Sequence, residues 1–160
     1  MRLLALLASL VYPACAASGA HGLAPAAPID LADLHRPATP NTALAAPADF
    51  VPRPDLITPL YPVAAAALLA AVRKVAAAEP RTYPDGVFPA ARQADWVVRS
   101  AAFNFPDLVT AAVAPAGPGH ARLILWSRSV YGRSDFGVNR ARLRAWLAAL
   151  ARLLRHPQPG

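Results

Sequence analysis

Prolines stand at positions 25, 28, 37, 40, 47, 52 and 54. Each fixes its own φ and removes a backbone donor, so neither a helix of ordinary length nor a central strand is expected through residues 17–54. That stretch reads as a linker, an extended tether or a wrapping arm, with Ile29, Leu31, Leu34 and Phe50 as side chains able to pin it to a folded body. A single small domain over residues 55–156 must supply the core, followed by a tail at 157–160. Alanine provides much of the 56% hydrophobic fraction, which leaves few large apolar side chains and requires a compact core.

Ahead of the prolines, Met1 and Arg2 give a short positive start and residues 3–11 an apolar run. The small-x-small triplet Ala14, Cys15, Ala16 follows. This is the pattern of a secretion signal over residues 1–16, cleaved after Ala16. The run is short for a membrane span and Pro13 interrupts it. Cys15 raises lipidation, but Tyr12 and Pro13 stand where a lipoprotein signal has aliphatic and small residues. The expectation is an exported, periplasmic or cell-envelope protein whose mature form lacks a thiol and hence a disulfide.

In the domain, residues 56–61 suit a short edge strand, since Pro59 and Pro62 are tolerated only at an edge or an end. Leu68, Val72 and Val75 recur at helical spacing over residues 63–78, and Glu79-Pro80 stops that helix. Strands are expected at 81–88, 94–103, 108–114 and 121–130, the last three joined by turn signals at 104–107 and 115–120. Leu143, Trp146, Leu147, Leu150 and Leu154 mark a final helix, with Asn139 as its N-cap and an end before Pro157. Short connections favour a meander. The predicted fold is therefore α+β, an antiparallel sheet of four to five strands with two helices on one face, a two-layer sandwich.

The run from Ser127 to Arg140, SRSVYGRSDFGVNR, together with Arg99-Ser100 and Pro106-Asp107, resembles a bacterial family, domain of unknown function 1499. The resemblance covers about residues 60–150, and the Pro/Ala-rich arm with Pro40-Asn41 is similar to the segment ahead of that domain. It implies a small bacterial domain, often behind a signal or membrane segment, and no established activity.

In a meander the second and fourth strands end together. Arg99, Asp107, Ser127, Arg128, Arg133, Asp135 and Asn139 are thus expected near one end of the sheet, with Arg99 and Arg128 able to bracket a group on the strand between them. Two readings stay open. In one, an arginine pairs with Asp107 or Asp135, the serines serve loop backbone and Asn139 caps the helix. In the other, an arginine left free joins the helix N-terminus in an anion site.

Catalysis finds less material. His21 and His35 lie in the arm, His120 in a turn and His156 beyond the last helix, and no G-x-S-x-G elbow surrounds Ser127 or Ser134. Only Asp107 and Asp135 offer converging metal ligands, and there is no P-loop or dinucleotide glycine pattern, so no metal and no cofactor are expected. The formal charge of +7 comes almost wholly from arginine, but without a nucleic-acid motif beside it; the five arginines between 140 and 155 are expected as a solvated helix face, and no nucleic acid as a partner. The leading expectation is a non-catalytic binding or accessory module of the envelope, with an anionic small molecule, a lipid headgroup or an envelope protein as partner. An enzyme of unfamiliar type using Ser127, Asp107 or Asp135, and a purely structural partner domain, are the alternatives.

Overall fold

The computed structural model describes residues 2–155, with the side chains from residue 6 onward. Met1, His156 and the tail at 157–160 lie outside the described residues. The elements run α1 (Arg2–Ser9), a single 3-10 turn (Pro13–Cys15), β1 (Thr42–Ala46), β2 (Leu56–Ile57), α2 (Ala65–Ala78), β3 (Thr82–Phe88), β4 (Gln93–Arg99), β5 (Pro106–Pro115), β6 (Ala121–Ser129) and α3 (Val138–Arg155).

The fold is α+β, as expected, with β3 to β6 an antiparallel meander. The sheet corrects the expectation in number and direction: it has six strands in the order β2-β1-β6-β5-β4-β3, and it is mixed, because β1 pairs antiparallel with β6 but parallel with β2. The added strand, β1, comes from the proline-rich stretch. It fits between Pro40 and Pro47, so no proline has to donate to its ladder. Ala43 and Ala45 face the helices while Leu44 and Ala46 face the opposite side, all four fully buried.

One face of the sheet carries α2 and α3, whose stripes Leu68, Val72, Val75 and Leu143, Trp146, Leu150 meet Val109, Leu123 and Leu125. Trp96 and Trp146 pack edge to face at 5.6 Å, an arrangement that adds about 0.5–1.5 kcal/mol to their burial. The second face is also covered. Leu34, Ile29, Leu31 and Phe50 of the arm pack on Leu44, Trp126 and Ile124, which makes a thin third layer over the expected two. Gln93 fastens this layer, accepting from Ile29 N at 2.9 Å and donating to Ile29 O at 2.7 Å. Arg36 adds an ion pair with Asp55 at 2.8 Å. The third helix, α1, precedes the arm, and among the described residues no helix is long and apolar enough to cross a membrane.

Candidate functional site

The seven residues singled out from the sequence do not form one cluster, because alternation along the strands sends them to opposite faces. Asp107 and Ser127 lie under α3, whose first turn carries Asn139; Arg99 and Arg128 lie under the arm; Asp135 and Arg133 are in the loop between β6 and α3.

The helix-side group is a filled network centred on Arg142, one of the arginines expected on a solvated face. Its guanidinium donates to Asp107 Oδ2 at 2.6 Å, Ser127 Oγ at 2.8 Å and Asn139 Oδ1 at 2.7 Å. The Ser127 hydroxyl also donates to Asn139 Oδ1. The Asn139 amide in turn donates to Asn41 O and Ser129 Oγ, each at 3.0 Å. Both donors and both lone pairs of that amide are used. Asn41 extends the network, its own amide donating to Gly132 O at 2.8 Å. Ser127 and Asn139 are fully buried, and a guanidinium beside the serine takes no proton from it.

Asn139 is therefore not the N-cap expected of it. It stands inside the first turn of α3 with its side chain turned to the sheet, and the cap is Asp135, whose carboxylate accepts from Gly137 N at 3.0 Å and Asn139 N at 2.7 Å.

On the arm side, Arg99 and Arg128 share a face but bracket no common group. Arg128 stacks on Trp126, 4.3 Å from the ring centroid, and donates to Thr110 Oγ1 at 3.2 Å. Burial lowers its pKa, opposed by the charges of Asp95 and Asp85, but among the described residues it makes no ion pair. Arg99, only 2% exposed, pairs with no carboxylate either; it donates to the carbonyls of Ala14, Gly19, His21 and Asn104 at 2.7–3.1 Å. Burial lowers its pKa as well.

What is open at this end of the sheet is apolar. A pocket of about 330 Å³ lies between the 100–105 turn and the 131–138 loop, walled by Tyr12, Phe103, Phe105, Tyr131, Phe136 and Val138, with Asp107, Ser129 and Asp135 also lining it. Phe136 is 97% exposed and held at a φ of +53°, a left-handed conformation that an aromatic residue seldom adopts. Arg133 is exposed, flanked in sequence by the lining residues Gly132 and Ser134, and makes no hydrogen bond or ion pair among the described residues. A hollow of about 380 Å³ between α2 and β3 is larger, but it is lined mainly by alanines and strand-edge residues and includes none of the loop.

The sequence reading missed Arg142 and Asn41, although Arg142 stands three residues after Asn139 and next to Leu143, at the margin of the buried stripe. Among the described residues no three His, Cys, Asp or Glu side chains gather as a metal site would require. A family model described as protein of unknown function (DUF1499) matches residues 33–150. No curated protein and no solved structure matches the chain.

Proposed function

For a chain that belongs to the DUF1499 family, we propose the role of an exported, non-catalytic binding module of the cell envelope, whose ligand is an anionic amphiphile held at the end of the sheet. The observation that carries this reading is the pairing of an apolar pocket with an unengaged cation on one motif loop. The apolar body of the ligand packs against Phe103, Phe105 and Tyr131, and Arg133 takes its carboxylate or phosphate. The two acids in the lining do not repel it strongly, because Arg142 neutralises Asp107 and backbone amides hold Asp135. The catalytic alternative loses support from the burial of Ser127 and the absence of a base at its hydroxyl among the described residues. Export rests on the N-terminal apolar run.

Calorimetric titration with dodecyl phosphate below its micellar concentration tests the binding role. Saturable binding is expected, weakened about tenfold by Arg133→Ala through loss of one charge-assisted contact, and unchanged by Arg144→Ala on the exposed side of α3. Equal affinity of the parent and Arg133→Ala, or no binding, would overturn it.

A further inference from the structure

We infer that the end of the sheet beside this pocket is a peptide-recognition groove, filled here by the chain's own residues 12–21. The ligand class it takes in trans is a polypeptide segment with an aromatic side chain ahead of small residues. This goes beyond the amphiphile reading and does not depend on it.

Two side chains read the main chain of the segment. Arg99 takes the carbonyls of Ala14, Gly19 and His21, and the Asn104 amide takes those of Cys15 and Ala17 at 2.7 and 2.9 Å. A buried guanidinium ordinarily requires an acid as partner. Here a converging set of carbonyl dipoles replaces it, so the positive charge is matched to a backbone path and not to a side chain.

Side-chain selection is added at two places. The Tyr12 ring packs edge-on against Phe105 at 5.5 Å and tilted against Tyr131 at 4.7 Å. Ala14 and Cys15, two and three residues on, are buried, so small side chains are favoured at those two places.

The receiving side chains also have supports of their own. Arg81 donates to Asn104 Oδ1 at 2.7 Å and to Arg99 O at 2.8 Å, and Phe105 N donates to Ser100 Oγ at 2.9 Å. None of these bonds involves the segment. The Asn104 amide is thus oriented before a ligand arrives, which lowers the entropic cost of binding. Arg99, Asn104, Phe105 and Tyr131 all lie within the residues matched by the family model, whereas the segment lies outside them. Receptor and ligand are thus separable parts, and cleavage after Ala16 would remove the aromatic half of the ligand and leave that half of the groove to a segment of another protein.

Cys15, the sole cysteine, is buried in the groove and reports on its occupancy in the full-length chain. Labelling of the folded protein by a thiol reagent is expected to be slow. A synthetic peptide of residues 9–22 carrying Cys15→Ser, added above the roughly millimolar effective concentration of the tethered segment, should accelerate labelling saturably, and the same peptide with Tyr12→Ala should not. In the chain itself, Tyr12→Ala should raise the basal labelling rate about fivefold, the factor to which an aromatic pair converts. Labelling as fast as in the denatured chain, or a rate indifferent to the peptide, would overturn the proposal. The readout is Cys15 and not Arg133, so this outcome is separate from that of the amphiphile titration.

Discussion

Removal of Arg142 strands a carboxylate. Its side chain and that of Asp107 are 11% and 9% exposed, and the same guanidinium serves Ser127 and Asn139. In Arg142→Ala, Ser127 and Asn139 keep each other, but Asp107 Oδ2 loses its charged partner in a site that water barely reaches. Breaking a buried pair from one side costs about 3–5 kcal/mol. That is a large share of the ~5–15 kcal/mol by which a domain is stable. For a chain of this length it should lower Tm by about 10 °C. Urea unfolding followed by tryptophan fluorescence suits the measurement, because Trp146 is on the same helix and packs against Trp96. Arg144→Ala, exposed on that helix, should stay within about 0.5 kcal/mol of the parent. Arg142→Ala combined with Asp107→Ala should cost less than the two singles added, by more than about 1 kcal/mol. A single Arg142→Ala effect below about 1 kcal/mol, or strict additivity in the cycle, would show that the network is not held by this charge pair.

Asp135→Ala removes the acceptor of two amides at the start of α3 and should destabilise by about 1 kcal/mol in the same unfolding assay, while Asp135→Asn recovers most of it. Asp95 is 6% exposed with one carboxylate oxygen lacking a partner, and burial raises its pKa, opposed by Thr110 and Arg128 and reinforced by Asp85. Between its unfolded and its raised folded pKa the native state binds more protons, so this group makes stability fall as pH rises through that window. Asp95→Asn should remove that slope and leave the protein more stable than the parent above the window, as read from unfolding midpoints against pH.

How much of this was legible follows from periodicity. The meander and the two helices were readable because Leu68, Val72 and Val75, and then Leu143, Trp146 and Leu150, repeat at helical spacing, while turn residues punctuate the strands. β1 was not readable, since TALAA is buried on both faces; no alternation survives, and its place between β2 and β6 depends on pairings far along the chain. The candidate residues were near the right end of the sheet, but register decides faces, and register separated Arg99 and Arg128 from Asp107 and Ser127. Asn139 has the chemistry of a cap, yet it stands four residues before Leu143, on the buried stripe. The partners of Arg99 were beyond reach because they are carbonyls, which every residue carries.

The position of β1 in the sheet governs when the domain assembles. Thr42 to Ala45 pair with residues 125–128, so the strand made first waits for the strand made last. β2 pairs only with β1, and Asn41 joins the network under α3 only when residues 129–142 are in place. β3, β4 and β5 can pair with one another as they are made, but the half of the sheet built on β1 closes only after residue 128, so the long-range pairing of β1 with β6 is the late and slow step of assembly.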